Sequence, residues 1–443
     1  MWIGIDDTDS PRGGCTTWVL TELLALARDR GIDLIGLPRL VRLNPNIPWK
    51  TRGNAALSAC FGRGRGPRQV VGEIAGRAIW SYRAGRDLPA REAEDWERAA
   101  WNVVCQRSQR DVPGTDPAMV SSPRRMPARL YWRAVREIVP TADARRIVRA
   151  HGGRLRAIGS GQGAVGAAAS LAWPGRHATF EAIAYRIPDR IGQPRKIDAR
   201  SVRTAQSTYP DLFLCWDART RRLLVAPHTP CPILYGLRAR TPMAAMRARR
   251  IVRSEPVERW VLFRTNQGTG DHLRTIGIDA LAPRTSGRIR GRVGAPPHSR
   301  PGGHVTFPLV DAKGRTIACV AFEPTKTLPR VARLLDVGDR IAVWGSRGIE
   351  PVLRIEGIEV QRWSPERGPP LPPTCPRCTR PSHSLGRARG YRCRSCGARW
   401  PPEAARRATR PAPLPPGAYH PTPSARRHLA PLGPEAPGDA LSF

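Results

Sequence analysis

Lysine is nearly missing from this sequence. Four occur in 443 residues, Lys50, Lys196, Lys313 and Lys326, so 69 of the 73 Lys+Arg are arginine. A compact ammonium and a planar guanidinium fork do different work, so the surviving lysines mark positions of interest. Acids are scarce too: 36 Asp+Glu leave a formal net charge of +37. Nucleic acid rewards such an excess through counterion release. Codon use rich in G and C also enriches arginine, so charge alone does not single out RNA. No apolar run reaches the roughly 20 residues of a membrane helix, and no basic leader with an apolar core opens the chain. These absences point to a cytoplasmic protein with no membrane partner. Ten cysteines in so long a chain do not form a disulfide framework.

Against this basic background, three acids crowd into four residues. In MWIGIDDTDSPRGGCTT a short apolar strand, Trp2 to Ile5, runs into Asp6, Asp7 and Asp9, then Gly13-Gly14, then Thr16-Thr17 before an apolar helix pattern. Carboxylates hold a hard cation such as Mg²⁺ through oxygen. Glycines allow close backbone approach, and a helix start offers unpaired N–H groups to an anion. The combination suits a metal-bound polyphosphate. Asp6, Asp7 and Asp9 are the candidate Mg²⁺ ligands, one of them open to acting as a base; Gly13, Gly14 and Thr17 are candidates for the nucleotide. The alternative is an acidic solvated turn with Asp as a helix cap. A second loop, NPNIPWKTRGN, stiffens Lys50 and Arg52 with prolines. A basic residue on a rigid loop grips phosphate, whether of ATP or of RNA; the alternative is a surface turn with a solvated lysine. Asn44 and Asn46 either satisfy local backbone groups or contact a base.

Periodicity divides the chain. Residues 1–125 alternate strand and helix patterns, an α/β domain with functional loops at strand ends. Leu20, Leu23, Leu24 and Ala27 repeat at helical spacing and Gly31 closes that helix. Strands are expected at Ile32–Leu37, Leu40–Leu43 and Ala55–Phe61, and helices near Val70–Tyr82 and Arg91–Gln106. A Pro/Gly/Ser cluster between Asp111 and Pro127 marks a boundary. Residues 126–250 form a second α+β unit, whose IGSGQGAVGAAASLAW is a glycine loop entering a small-residue helix. Close packing or substrate enclosure suits it better than a dinucleotide fingerprint, since no clear βαβ unit with a distal acid follows. Residues 256–362 carry short strands around turns such as Asp311–Gly314, which reads as an OB-fold β-barrel. Such barrels bind single-stranded or irregular nucleic acid; a purely structural barrel is the alternative.

A Pro-rich linker, Arg367 to Thr374, leads into Cys375-Pro-Arg-Cys378 and Cys393-Arg-Ser-Cys396. Two C-x-x-C pairs at this separation close a four-thiolate Zn²⁺ site, a zinc ribbon over residues 372–400. A redox reading would need only one pair in a thioredoxin-like setting, which is absent. His383 reads as a surface residue. The Pro/Arg-rich tail, 401–443, is expected to be disordered except around Tyr419 to Leu429.

In order, IGIDDTDS, GGCTT, NPNIPWKTRGNAA, GSGQGAVGAAA, TNQGTGDHL, EPTK, the paired C-x-x-C and SARRHL resemble the motifs of the archaeal 2-agmatinylcytidine synthetases that act on an isoleucine tRNA. The match is collinear over essentially the whole chain. Gln162 and Cys231 stand where the pattern leads one to expect Arg and an acid. The resemblance implies a multidomain α+β protein: an N-terminal α/β kinase-like domain, a ferredoxin-like domain, an OB-fold and a zinc ribbon. It implies attachment of agmatine to the wobble cytidine of a CAU anticodon, with ATP consumed to AMP and two phosphates. The cytidine C2 oxygen is a poor leaving group; phosphorylating it splits one hard step into two easier ones. Transfer from ATP needs metal and a positioned cation, for which Lys50 and Arg52 are candidates. The resemblance also implies that Thr16 becomes phosphorylated; an N-cap hydroxyl is the alternative read from the residues. Agmatine calls for a carboxylate fork and an aromatic wall, with Glu181, Asp198 and Asp217 as candidates beside Tyr185 and Trp216. The rival function is a non-enzymatic OB-fold and zinc-ribbon nucleic-acid-binding protein. Three clustered aspartates beside a glycine turn speak against it.

Overall fold

The computed structural model describes residues 1–386, 388–409 and 411–433. The chain divides into two compact units. The first holds residues 1–274, 282–287 and 422–433; the second holds 275–281 and 288–421.

The first unit begins β1 (Trp2–Asp6), α1 (Thr16–Asp29), β2 (Asp33–Arg42), β3 (Ala55–Ile74), β4 (Arg77–Arg86), α2 (Ala90–Arg107), β5 (Ala118–Ser122), α3 (Ala128–Arg136), α4 (Thr141–Ala150), β6 (Arg154–Ala157) and α5 (Gly163–Ala172). It continues β7 (Thr179–Arg186), α6 (Ala199–Thr208), β8 (Trp216–Asp217), β9 (Arg222–Leu223), β10 (Ile233–Ala239), α7 (Pro242–Arg249) and β11 (Val257–Thr265). Nine of these strands form one sheet in the order β10-β7-β11-β2-β4-β3-β1-β5-β6, with further pairings of β3 to β2 and β11. The two α+β regions expected from sequence therefore share a single sheet. So does β11, whose WVLFRT was expected to open the barrel. It pairs along its length with β7, and five successive residues are buried, as a strand covered on both faces requires.

Helix α1 follows its sequence pattern. Val19, Leu20, Leu23, Leu24 and Ala27 are buried against Ile3, Ile5 and Phe61, and Gly31 ends it in the left-handed region, φ 67°. The helix expected near Val70–Tyr82 is not formed. That stretch is the β3–β4 hairpin, turned at Ala75 (φ 51°) and Gly76 (φ 71°). Two consecutive residues at positive φ suit a tight hairpin turn, and cross-strand pairing overrode the apparent helical spacing. The small residues of α5 serve close packing. A Cβ on Gly4 of β1 would lie 2.1 Å from Leu171 Cδ1 and 2.3 Å from the Ala167 carbonyl oxygen, so helix and strand touch backbone to backbone.

The second unit is built on β12 (Ser286–Val293), β13 (His298–Ser299), β14 (Val305–Val310), β15 (Thr316–Ala321), α8 (Thr327–Leu334), β16 (Arg340–Arg347) and β17 (Val352–Arg362). Strands β12, β14, β15, β17 and β16 close into a five-stranded barrel around Phe307, Ile317, Val331, Ile341 and Ile358. Beyond it come β18 (Glu366–Leu371), β19 (His383–Ser384), β20 (Tyr391–Arg392), β21 (Arg399–Trp400), β22 (Arg406–Thr409) and β23 (Gly417–Tyr419). The expected linker and the head of the expected disordered tail pair with each other as β18 and β22. Tail residues 422–433 fold into the first unit, and 434–443 lie outside the described residues. Among the described residues no helix is long and apolar enough to cross a membrane.

Candidate functional site

A cavity of about 460 Å³ opens in the first unit, lined by the end of β1, the start of α1, the 47–55 loop, α5, β7, β10 and residues 423–428. Its floor is the acid cluster. Asp6 is the last residue of β1, held in register by β5 through Ala118. Asp7 adopts φ 57°, a left-handed conformation rare outside glycine, and its Oδ2 accepts the Asp116 amide at 3.1 Å. The Asp6 Oδ1 accepts the Asp7 amide at 2.8 Å. Room for these carboxylates comes from the glycine loop. A Cβ on Gly166 would lie 1.7 Å from Asp6 Oδ2, while one on Gly163 would meet the Asp116 carbonyl oxygen at 2.6 Å and Asp7 Cβ at 3.0 Å, so Gly163 lets the backbones approach. Burial, then the neighbouring Asp7 charge, push the Asp6 carboxyl well above the usual range. Burial lifts Asp7 to about 6, with Asp9 and Asp116 adding to it and the Asp116 amide opposing. Half-buried carboxylates set close together on a cavity floor fit a divalent cation as partner.

Arg52 closes one side. Its Nε donates to Asp9 Oδ2 at 2.7 Å, its Nη2 to the same oxygen and to the Gly14 carbonyl at 2.8 Å, and its Nη1 to Thr229 Oγ1 at 3.1 Å. Lys50 is exposed on the same loop, with Nζ donating to the Ile47 carbonyl at 3.2 Å. Burial and the nearby Arg427 lower its pKa. Gly13 (φ 157°) and Gly14 (φ 76°) turn the chain into α1. The helix cap is Cys15, extended at φ −169° and ψ 123° with no side-chain cap bond, so the N-cap reading of Thr16 does not hold. Thr16 and Thr17 are the first two helical residues and both line the cavity. The first helical bond runs from the Val19 amide to the Cys15 carbonyl at 3.1 Å, leaving the amides before it at the anion-attracting end. Asn44 is buried and spends its side chain on backbone groups, accepting the Asn46 amide at 2.9 Å and donating to the Arg284 carbonyl at 3.2 Å.

The three acids expected around agmatine separate. Asp198 is an exposed N-cap whose Oδ1 accepts the Arg200 amide at 2.9 Å, away from the cavity. Asp217 is buried; it accepts the amides of Arg219 and Thr220, and that of Ser424 at 3.1 Å, tying the chain's return segment down. Glu181 alone lines the cavity. It accepts from Gln267 Nε2, lies 3.6 Å from Arg238 Nε, and occupies space that a Cβ on Gly236 would take, 2.3 Å from its Oε1. Tyr185 is core, edge-on to Trp18 at 5.5 Å, and not a cavity wall. Trp216 is half-buried under Arg203. Cys231 lines the cavity in a loop that Arg195 pins through the carbonyls of Pro227, Thr229, Cys231 and Ile233, at 2.8 to 3.0 Å.

Sequence reasoning missed Arg42, Arg238 and His428 as a wall of the cavity, and the buried Gln267 that joins Glu181 to His428 behind it. Arginines carry no signal among 69, but Gln267 and His428 sit inside TNQGTGDHL and SARRHL. In the second unit, Cys375, Cys378, Cys393 and Cys396 bring their sulfurs within 4.8 Å of one another, and His383 lies outside that group. The amides of Cys396 and Ser395 lower the Cys393 thiol to about 7, while neighbouring sulfurs push Cys378 up to about 12. Four thiols so placed match a tetrahedral cation.

Three family models match the chain: the TiaS TCKD domain over residues 2–159, the TiaS FLD domain over 161–272 and the TiaS C-terminal zinc ribbon domain over 372–411. The 2-agmatinylcytidine synthetase TiaS of Methanosarcina mazei, named for an isoleucine tRNA, is 36% identical over 436 residues, 97% of this chain and 96% of that protein. The chain belongs to the 2-agmatinylcytidine synthetase family. Its counterpart in Archaeoglobus fulgidus is 34% identical, with the same coverage of 97% and 96%. The solved complex of TiaS with isoleucine tRNA and ATP superposes with a TM-score of 0.78 at 32% identity, covering 97% of this chain and 95% of that one. The complex of TiaS with isoleucine tRNA, AMPCPP and agmatine gives 0.76 at 30% identity, covering 97% and 96%.

Proposed function

We propose that this protein is an ATP-dependent ligase that attaches agmatine to C2 of the wobble cytidine in the CAU anticodon of an isoleucine tRNA, releasing AMP and phosphate. Family membership over nearly the whole chain supports it. The observation that carries it is the acid cluster, which faces a helix N-terminus across a cavity large enough for a nucleotide and a small amine. A non-enzymatic polyanion binder has no use for half-buried, crowded carboxylates in such a place. The tRNA substrate puts the reaction in the cytoplasm.

Asp6, Asp7 and Asp9 would hold Mg²⁺, which when bound neutralises phosphate charge and stabilises the transferring group. Arg52 fixes Asp9 and the Gly13-Gly14 turn, and so sets where the phosphates lie. Lys50 stands at the rim to meet phosphate charge. Thr16, at the first turn of α1, is placed for phosphorylation, its dianion favoured by the helix end. Phosphate on the cytidine C2 oxygen makes that oxygen a leaving group, and the amine nitrogen then displaces it. Residues 1–125 read as the kinase-like domain and 126–250 as the ferredoxin-like one. The barrel strands, taken as one to five, close in the order 1-2-3-5-4 with α8 between the third and fourth, which supports an OB-fold. Cys375, Cys378, Cys393 and Cys396 would hold structural Zn²⁺.

The test combines purified protein, ATP, labelled agmatine and transcripts of several tRNAs. Label on the isoleucine tRNA alone, with AMP released, is expected. Absence of AMP with every tRNA would leave only the binding role.

A further inference from the structure

We propose that His428 is the base that removes the proton from the attacking agmatine nitrogen. This rests on the function proposed above and names a residue for its second step.

A chain of hydrogen bonds fixes the ring. The Glu181 carboxylate can only accept, and it takes Gln267 Nε2–H. That turns Gln267 Oε1 toward His428 Nδ1, 3.0 Å away. An amide oxygen can only accept, so Nδ1 carries the hydrogen and Nε2 keeps its lone pair. Nε2 makes no hydrogen bond among the described residues, and the exposed side chain lines the cavity. The backbone is anchored independently: Gly268 donates to the His428 carbonyl at 2.8 Å, Gly270 to that of Leu429 at 2.9 Å, and Leu432 to Gly268 at 2.9 Å. So elaborate a mount for one tautomer is unnecessary for a packing residue.

The electrostatics keep the ring a base. The Arg42 charge first, with Arg238 adding to it, lowers the His428 pKa well below its ordinary value. The charges acting on it are Arg42 on β2 and Arg238 on β10, with Glu181 joined through Gln267; Lys50, Arg52 and Arg426 line the same cavity, as do Asp6, Asp7, Asp9 and Glu137. Cations prevail, so imidazolium is disfavoured before the reaction. The same field favours the neutral form of an incoming amine, whose ordinary pKa is near 10. In the step, the amine lone pair forms the C2–N bond and the C2–O bond breaks, its electron pair leaving with phosphate. The nitrogen, made acidic as the bond forms, gives one proton to Nε2, and imidazolium passes it to the departing phosphate or to water. A weak base suffices, because the proton has become strongly acidic by then.

The test is His428→Gln beside wild type, with AMP release and agmatine incorporation followed separately from pH 6 to pH 10. Incorporation near neutral pH should fall by about 10²-fold or more, with AMP release and the KM for agmatine nearly kept. The deficit should shrink as pH rises and free amine and hydroxide take over. In His428→Ala, added imidazole should restore part of the rate. Incorporation by His428→Gln within threefold of wild type would overturn the assignment. A loss equal at every pH, unmoved by imidazole in the alanine variant, would also overturn it by leaving His428 only a strap. Wild-type protein that makes no agmatinylcytidine would sink the functional reading, and the assignment with it.

Discussion

Gly166→Ala tests the acid cluster without touching an acid. The new methyl would sit 1.7 Å from Asp6 Oδ2, 2.6 Å from its Cγ and 3.2 Å from its Cβ. Neither backbone has room to retreat. β1 is paired on both sides, to β3 through Ile5–Leu57 and to β5 through Asp6–Ala118, and α5 already lies backbone-to-backbone on Gly4. The carboxylate must therefore rotate away. Overpacking of this kind costs about 1 to 3 kcal/mol, while alanine's better helix propensity returns about 1 kcal/mol. The fold should survive a net loss of at most about 2 kcal/mol. Catalysis should suffer far more, since a displacement of about 1 Å at a reacting centre can cost about 10²-fold. Denaturant unfolding would measure the first effect and tRNA-dependent AMP release the second, with tRNA binding as a control expected to be unchanged. Wild-type AMP release in a folded Gly166→Ala protein would mean that the position of Asp6 is not critical, and the metal-site reading of the cluster would fall with it.

Asp7→Asn should abolish AMP formation and leave tRNA binding intact; near-normal turnover would make Asp7 a turn residue. In metal-free protein the raised Asp7 pKa means that the folded state binds more protons than the unfolded state between the ordinary carboxylate value and about 6. Stability should therefore fall as pH rises through that window, and Mg²⁺ should flatten the slope; a slope of opposite sign would contradict the crowding. Purified protein should carry one zinc per chain, lost in the double variant Cys393→Ser, Cys396→Ser; full retention would remove the thiolate site. ATP should leave phosphate on Thr16, seen by mass spectrometry of the N-terminal peptide and absent in Thr16→Val, whereas Thr17→Val should keep it; unlabelled peptide from active protein would assign Thr16 a structural role.

What was readable in the sequence was what short-range physics controls. The strand-to-acid-to-glycine-to-helix order at residues 2–17 and the paired C-x-x-C motifs needed only local spacing, and both lie where they were expected. The 70–82 stretch failed because its apolar residues are spaced ambiguously, and cross-strand pairing with β3 decided the outcome. The agmatine candidates separated for another reason, with only Glu181 of the three reaching the cavity. Asp198 and Asp217 look identical to Glu181 in sequence, but one caps a helix and another holds a segment two hundred residues away. That distant segment also hides His428, which reaches the cavity only through pairing with residues 268–270.

The competing view of residues 6–9, a solvated acidic turn, has to account for three separate costs at once. Asp7 sits at positive φ, a strain of order 1 kcal/mol for a residue with a Cβ. Asp6 is desolvated and its carboxyl is driven up by burial and by its neighbour, whereas a surface turn would leave it in water. Gly166 gives up helix propensity, about 1 kcal/mol relative to alanine, to leave space that the Asp6 carboxylate fills. None of these improves packing or satisfies a backbone group that a serine or asparagine would not serve equally well. Each becomes useful when a cation stands among the acids, because positive charge reverses the sign of the crowding and makes close approach favourable. Arg52 does this for Asp9 alone, through a fork already committed to Gly14 and Thr229. Asp6 and Asp7 are left facing the cavity with no basic side chain bonded to them among the described residues, which is the condition under which a metal-bound phosphate would be drawn in.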